Sequence, residues 1–293
     1  MAQLIDIKKD FDLGNMPILD MAVALASSLD DSFRVVVKYD GQKYDFPSDN
    51  KKNIFISTSR EVHKQPLYYD HDKVFAILHN YAELDNWGYP SYGPKVIPLP
   101  PGTFINHIDS IEEINPLHKR KYDFCFMGQI PHTGTRDKFR RCLDKMIAET
   151  GDKFKWYIKY TKNFGEGLDH DEYMEVLGDS RVCLCPQGAY SEETFRFFEA
   201  IKLGAIPMVE RLPKFWYYEN APMAFSQWQM LDKNLSLTLN FLNSENYSVV
   251  SNQVVQYNNT ILNPDWLAKF YKHKIEKKIE VENVPANKLQ NPL

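Results

Sequence analysis

The stretch from Arg181 to Glu210, RVCLCPQGAYSEETFRFFEAIKLGAIPMVE, decides the fold of this chain. Its first apolar segment, Val182–Cys185, predicts a buried strand that ends at the following proline and glycine. A helical segment follows, and Gly204 stands where a helix commonly ends in a left-handed residue. The apolar run Ile206–Val209 then predicts a second strand. This order indicates a βαβ unit of a parallel sheet, whose ligands lie beyond the carboxyl ends of the strands.

The polar side chains between these two strands suit an anionic ligand. Ser191 fits the N-cap position of the helix, and Glu192 and Glu193 suit the positive end of its dipole. Because carboxylates repel a diphosphate, we expect both glutamates to face solvent or to bind sugar hydroxyls. Arg196 and Glu199 share a helix face, so the guanidinium can reach a diphosphate while the carboxylate accepts hydrogen bonds from ribose hydroxyls.

An ordinary solvated helix face is the alternative interpretation of these charges. Glu192, Arg196, Glu199 and Lys202 are spaced three or four residues apart, which is typical of charge pairs on exposed helices. The surrounding strands and glycines, together with Pro207, favour nucleotide binding.

Two blocks of the chain carry patterns that are specific to one family. The first is a glycine, a Thr-x-Arg-x-x-Glu-Ala helix and a Gly-x-Ile-Pro strand, formed by Gly188, Thr194, Arg196, Glu199, Ala200, Gly204, Ile206 and Pro207. The second, upstream, is an apolar strand closing on Phe-x-Gly before a basic helix, formed by Phe124, Phe126, Gly128 and Arg136. In order and spacing the chain resembles exostosin-like glycosyltransferases over roughly residues 120–230.

The resemblance implies an α/β fold of the GT-B type, in which two Rossmann-like domains face a cleft. Residues 1–115 would form the N-terminal acceptor-side domain, and 116–265 the C-terminal domain that binds the nucleotide sugar. Residues 266–293 would form a closing helix, which often returns to the first domain in GT-B enzymes, and a loose tail. The implied donor is a UDP-sugar, with UDP-xylose or UDP-galactose preferred by analogy, and the implied acceptor is an oligosaccharide or glycan.

The resemblance and the helix chemistry together nominate a donor site. Its expected residues are Gly128, Arg136, Lys159, Gly188, Thr194, Arg196 and Glu199. Gly128 ends a strand, where a glycine permits close approach of the backbone to a ligand. Thr194 is near a helix N-terminus, which favours phosphate. For Arg136 and Lys159, solvation or pairing with a carboxylate is an equal alternative.

The base that deprotonates the acceptor is expected on loops of the N-terminal domain. The candidates are His63, His79, Glu83 and Asp85. The segment HNYAELDNWGYPSYG mixes ionisable and aromatic groups, which suits proton abstraction beside a sugar ring, although plain loops have the same composition. Asp169 and Asp171 flank a histidine at a predicted helix start, where capping explains them better than metal binding. We therefore expect inverting catalysis without a metal ion or cofactor.

Composition excludes some functions and leaves others open. The 293 residues suit two domains, and the net charge of -4 argues against nucleic-acid binding. Without a signal-like N-terminus or a run of ~20 apolar residues, we expect a soluble intracellular protein, from a microbial or viral source or as a trimmed chain.

A GDP-sugar-dependent, fucosyltransferase-like GT-B enzyme is an alternative, although its usual Tyr-x-Thr-Glu-Lys pattern is missing. A non-catalytic glycan-binding module and a sugar-nucleotide hydrolase also remain open.

Hydrophobic patterning predicts the elements of both domains. Strands are expected at Arg34–Lys38, Asn53–Ser57, Val74–Leu78, Lys95–Leu99, Tyr122–Met127 and Lys155–Tyr160. Helices are expected at Met21–Ser28, Arg136–Thr150, Asp171–Leu177, Met230–Leu242, Glu245–Asn258 and Pro264–Lys278.

Overall fold

Short apolar segments along the chain pair into two parallel β-sheets. The computed structural model describes residues 1–6, 17–39, 43–58, 71–81, 95–103, 116–130, 134–163, 166–188, 191–243 and 246–282. Each sheet has five strands among these residues. Parallel sheets need helices on their faces to bury apolar side chains, so both halves of the chain are layered α/β structures.

The N-terminal sheet follows the order of the chain. Its strands are β1 (Gln3–Asp6), β2 (Phe33–Tyr39), β3 (Lys52–Thr58), β4 (Val74–His79) and β5 (Val96–Pro98), arranged β1-β2-β3-β4-β5. Helix α1 (Pro17–Ser28) connects the first two strands. All six residues of β4 are buried, as expected for a parallel strand that is covered on both faces.

The last helix of the chain completes the N-terminal core. Helix α7 (Pro264–Glu282) packs against α1, and Leu267, Tyr271 and Ile275 are buried among the side chains of the N-terminal sheet. The chain therefore returns to its first half at α7.

The C-terminal sheet reverses its order once. Its strands are β6 (Tyr122–Gln129), β7 (Trp156–Thr161), β8 (Ser180–Leu184), β9 (Ile206–Val209) and β10 (Ala224–Phe225), arranged β10-β9-β8-β6-β7. The helices are α2 (Thr135–Thr150), α3 (His170–Gly178), α4 (Phe195–Lys202), α5 (Leu231–Leu242) and α6 (Tyr247–Asn259). The chain leaves β6 for β7 on one side and later returns as β8 on the other. The gap between β6 and β8 is thus a topological switch point, the usual ligand crevice of such sheets.

The two halves meet at residues beyond the carboxyl ends of their strands. Tyr81, two residues after β4, places its ring edge-on to Phe195, the first residue of α4, with centroids 5.7 Å apart. The indole N–H of Trp216 donates to the carbonyl oxygen of Pro98 at the end of β5, at 3.2 Å. The fold is therefore the two-domain Rossmann-like arrangement of GT-B proteins.

Most of the predicted elements are confirmed, with shifts of one to four residues at their ends. Helix α4 begins at Phe195 rather than near Ser191, because the hydroxyl of Ser191 accepts from the backbone N–H of Glu193 in a separate turn. Helix α7 continues to Glu282 instead of ending at Lys278. Strands β1 and β10 were not predicted, since each is too short to show an alternating pattern.

Truncating Ile275 to alanine should test how far α7 supports the N-terminal half. The side chain is fully buried, so its loss should lower the free energy of unfolding by about 2–5 kcal/mol. Denaturant unfolding followed by circular dichroism would measure the change. Lys277→Ala, an exposed position on the same helix, is the matched control and should change stability little.

Candidate functional site

The guanidinium of Arg196 occupies space that only a glycine at position 128 leaves open. Its Nε and Nη2 atoms donate to the carbonyl oxygen of Met127 at 3.1 and 2.6 Å. Its central carbon lies 4.9 Å from the ring centroid of Phe126, within cation–π range. A Cβ atom at Gly128 would lie 2.1 Å from Nη2. Gly128 thus makes room for a protein side chain, where the sequence had suggested room for a ligand.

One nitrogen of this guanidinium is left for another partner. Nη1 of Arg196 is buried and makes no hydrogen bond to any residue that the structure describes. A buried charged donor without a partner is costly, so a ligand acceptor would stabilise it. The same helix carries Glu199, whose carboxylate accepts from the hydroxyl of Tyr173 at 2.6 Å. Burial, reinforced by this carboxylate, raises the pKa of Tyr173 well above its ordinary value, so the phenol stays a donor.

Arg136 spans the switch point itself. Its Nε donates to the carbonyl oxygen of Gln187, beyond β8, at 2.8 Å, and its Nη1 donates to that of Gln129, at the end of β6, at 3.2 Å. One side chain in the first turn of α2 therefore fastens the carboxyl ends of both strands. Its positive charge is held at the crevice between them.

A polar cavity of about 490 Å³ opens at the same edge of the sheet. It is lined by Lys138, Gln187, Glu210, Arg211, Gln227 and Gln229. Gln187, Glu210 and Gln227 each follow a strand within three residues, so the carboxyl ends of β8, β9 and β10 form its floor. None of these residues is among the donor residues predicted from the sequence. The polar residue that directly follows each predicted strand is the signal that would have found Glu210.

Of the two glutamates before α4, Glu193 is buried, which corrects the prediction that both face solvent or bind sugar hydroxyls. The carboxylate of Glu193 is only 1% exposed and accepts from the hydroxyls of Tyr217 and Tyr218 at 2.7 and 3.0 Å. Burial, followed by this carboxylate, raises the pKa of both tyrosines well above the ordinary value, so both remain donors. Glu192 instead forms an ion pair with Arg211 at 2.7 Å.

The remaining predicted donor residues have different surroundings. Thr194 is buried at the N-cap of α4, and its hydroxyl makes no capping bond. Gly188 is buried shortly after β8. Lys159 is exposed on β7, the edge strand beyond β6, and is therefore one strand removed from the switch point.

In the N-terminal half, a buried polar row crosses three strands at their carboxyl ends. Lys38, Ser57 and His79 are register partners on β2, β3 and β4, and all are almost completely buried. The Nδ1 atom of His79 lies 3.1 Å from the carbonyl oxygen of Ser57. Because a carbonyl can only accept, we assign the proton of the neutral imidazole to Nδ1, which leaves Nε2 as the basic nitrogen. The candidates His63, Glu83 and Asp85 lie outside the described residues.

The structure also explains the acidic pair near His170. The carboxylate of Asp169 accepts from the backbone N–H of Glu172 at 2.8 Å, which makes it the N-cap of α3, as predicted. Within the described ranges, no three His, Cys, Asp or Glu side chains are grouped as metal ligands. No helix in those ranges has the length and apolar character needed to cross a membrane.

Comparison with known proteins fixes the family. The model of the Exostosin GT47 domain matches residues 38–221, which is well over half of the chain. The chain belongs to the exostosin GT47 family. This exostosin-family protein is a glycosyltransferase, and the match begins at β2, far upstream of the blocks that first indicated the family. No curated protein matches it in sequence.

Several solved structures are similar to this exostosin-family protein at low identity. One is an alpha-glucosyltransferase in complex with UDP and a 13-mer DNA containing a HMU base, with 9% identity, a TM-score of 0.49, and coverage of 95% of this chain and 90% of that chain. An alpha1,3-fucosyltransferase has 10% identity, a TM-score of 0.44 and coverage of 97% and 92%. S. aureus MnaA, in a structure with UDP, has 12% identity, a TM-score of 0.39 and coverage of 94% and 84%.

Gly128→Ala should displace the guanidinium of Arg196 from the carbonyl of Met127, because the new methyl group would overlap Nη2. We expect a loss of about 1–3 kcal/mol in the free energy of unfolding and weaker nucleotide binding. Denaturant unfolding and calorimetric titration with UDP would measure both. Gly178→Ala meets no atom within 4 Å and is the control. Unchanged stability and binding in Gly128→Ala would show that the contact has no energetic weight.

Glu193→Ala should leave two buried tyrosine hydroxyls without their acceptor. The expected cost is about 1–3 kcal/mol for each hydroxyl, with weaker nucleotide binding because the turn before α4 loosens. Glu193→Gln keeps an acceptor oxygen and should restore most of both properties. Glu192→Ala, which breaks only the ion pair with the exposed Arg211, should cost less than about 1 kcal/mol. Equal effects of the two alanine variants would contradict this role for Glu193.

Proposed function

We propose that this glycosyltransferase transfers a sugar from a UDP-sugar to a hydroxyl of an oligosaccharide or glycan, with inversion and without a metal ion. The observation that carries the proposal is the buried Nη1 of Arg196, a charged donor without a partner among the described residues, beside the switch point. A diphosphate supplies the acceptor oxygens that this nitrogen lacks.

The charges around the switch point suit the diphosphate of the donor. Arg136 bridges the ends of β6 and β8, and Arg196 lies against β6. The N-terminus of α4 adds the partial positive charge of its helix dipole, with Thr194 at the cap. We propose that these groups stabilise the negative charge that develops on the departing nucleoside diphosphate, the task that a divalent cation performs in metal-dependent enzymes.

The amide-rich cavity suits the nucleoside part of the same donor. Gln227 and Gln229 each carry two N–H donors and an acceptor oxygen, which can match the polar edge of a pyrimidine and the ribose hydroxyls. Gln187 donates one N–H to the hydroxyl of Thr135 at 2.9 Å and keeps its second N–H and its acceptor oxygen. Glu210 adds a carboxylate, although one of its oxygens already accepts from the backbone N–H of Trp228 at 3.2 Å. Hydrogen-bonding groups at fixed positions give selectivity, because a mismatched base leaves them unpaired.

Inversion requires a base on the face of the sugar opposite the leaving group. His79 lies in the other domain, at the carboxyl end of β4, with its tautomer fixed by the carbonyl of Ser57. In that tautomer Nε2 can take the proton of an acceptor hydroxyl. We therefore propose His79 as the base, with His63, Glu83 and Asp85 as the other candidates.

Thermal-shift and calorimetric binding of UDP and GDP would test the donor assignment first. We expect UDP to stabilise the protein more than GDP, and Arg196→Ala to weaken UDP binding at least about tenfold through loss of a charge-assisted contact. Arg141→Ala, an exposed arginine on α2, is the control. A panel of UDP-sugars that starts with UDP-xylose and UDP-galactose would identify the sugar. Preference for GDP would favour a fucosyltransferase-like donor, and no binding would overturn the proposed function.

A transfer assay with the identified donor would test the chemistry. We expect activity to survive EDTA, and His79→Gln to lower kcat by about 10²–10⁴ while UDP binding stays unchanged. His273→Gln, an exposed histidine on α7, is the matched control. Loss of activity in EDTA with recovery on adding a divalent ion would disprove the metal-independent mechanism. Full activity of His79→Gln would show that another residue is the base.

A further inference from the structure

Lysines stand at the start of three neighbouring strands of the N-terminal sheet. Lys51 and Lys52 mark the start of β3, Lys73 directly precedes β4, and Lys95 directly precedes Val96, the first residue of β5. Because these strands are parallel and adjacent, their amino ends lie side by side. Four lysines therefore lie at one end of this sheet, in a protein whose net charge is -4.

These lysines line a cavity of about 330 Å³, which we call the amino-edge pocket. Its full lining is Asp49, Asn50, Lys51, Lys52, Asp72, Lys73, Val74, Phe75 and Lys95. Two of the ammonium groups are held in place by main-chain carbonyls. Nζ of Lys73 donates to Pro47 at 2.5 Å, and Nζ of Lys95 donates to His71 at 2.9 Å. Each ammonium has three N–H donors, so both keep donors for a ligand.

The lining includes Phe75, whose ring lies close to two cations. The ammonium groups of Lys52 and Lys278 lie 4.6 and 4.9 Å from the ring centroid of Phe75. The carboxylate of Asp49 is paired with Arg34 and so is already engaged by a cation outside the pocket. Within the described ranges, neither Lys73 nor Lys95 forms an ion pair with a carboxylate.

The lysines of the lining outnumber its two aspartates, Asp49 and Asp72, so the lining carries a net positive charge. A net positive charge favours an anion in the pocket. We infer that the amino-edge pocket binds a compact oxyanion with two negative charges, a phosphate or sulfate group. Its volume falls at the lower end of the range for small-ligand sites.

The amino-edge pocket is separate from the donor and acceptor sites. It lies at the amino ends of β3 to β5, whereas His79 and the contacts with the C-terminal half lie at the carboxyl ends. A strand of seven residues such as β3 spans roughly 20 Å. The anion is therefore a ligand in addition to the sugar donor, either free in solution or carried on a sugar that also contacts the protein.

Calorimetric titration of the full chain with sodium phosphate, against sodium chloride at equal ionic strength, would test the inference. We expect saturable phosphate binding that becomes about tenfold weaker in Lys73→Met/Lys95→Met, since each lost charged contact is strong. The control is Lys119→Met/Lys145→Met, two exposed lysines outside the pocket. If the first variant fails to fold, Lys51→Glu reverses one charge of the lining without removing an anchored lysine and should also weaken binding.

Three results would overturn the inference. They are no phosphate binding beyond the chloride reference, unchanged binding in both pocket variants, and a loss of binding in Arg196→Ala alone, which would place the phosphate at the donor site. Glucose 6-phosphate and glucose 6-sulfate distinguish the sources of the anion. Tighter binding of these sugars than of inorganic phosphate indicates a sugar-borne group, and equal binding indicates a free anion. Either of those outcomes supports an oxyanion site.

Discussion

One short turn connects the two halves of the molecule to the proposed donor site. Trp216 donates to the carbonyl of Pro98 and stacks on Phe270 of α7 with centroids 4.1 Å apart. The next two residues, Tyr217 and Tyr218, donate to the buried carboxylate of Glu193 just before α4. A buried carboxylate is tolerated only while its hydrogen bonds are made, so the position of α4 depends on this turn. Residues 216–218 therefore contribute both to the contact between the two halves and to the geometry of the proposed donor site.

The carbonyl oxygen of Pro98 accepts hydrogen bonds from two parts of the chain that are distant in sequence. It accepts from Trp216 of the C-terminal half and, at 2.9 Å, from the hydroxyl of Tyr271 on α7. Burial raises the pKa of Tyr271 well above its ordinary value, so the phenol remains a donor. The end of β5 is thus fixed by residues more than a hundred positions away in the sequence. This explains why α7 belongs to the N-terminal core although it ends the described chain.

The two edges of the N-terminal sheet carry different chemistry. At the carboxyl ends, Lys38, Ser57 and His79 form a buried row across β2, β3 and β4. The amino ends instead carry the lysines of the amino-edge pocket, one of which, Lys52, lies over the ring of Phe75. Because strand direction is the same throughout a parallel sheet, each edge collects one end of every strand. Lysines at the starts of β3, β4 and β5 therefore form one positively charged surface.

The sequence by itself determined the βαβ unit around α4, the Gly128 to Arg136 block and the family, because these depend on local periodicity and fixed spacing. The sequence also predicted Asp169 as a helix cap. Only the tertiary structure showed that Gly128 accommodates Arg196 and that Glu193 is buried between two tyrosines. It alone grouped Gln187, Glu210 and Gln227 into one cavity. The contacts of Glu193 with Tyr217 and of Arg196 with Met127 join residues 24 and 69 positions apart. Pairing across such separations depends on sheet order and packing, which no local pattern contains.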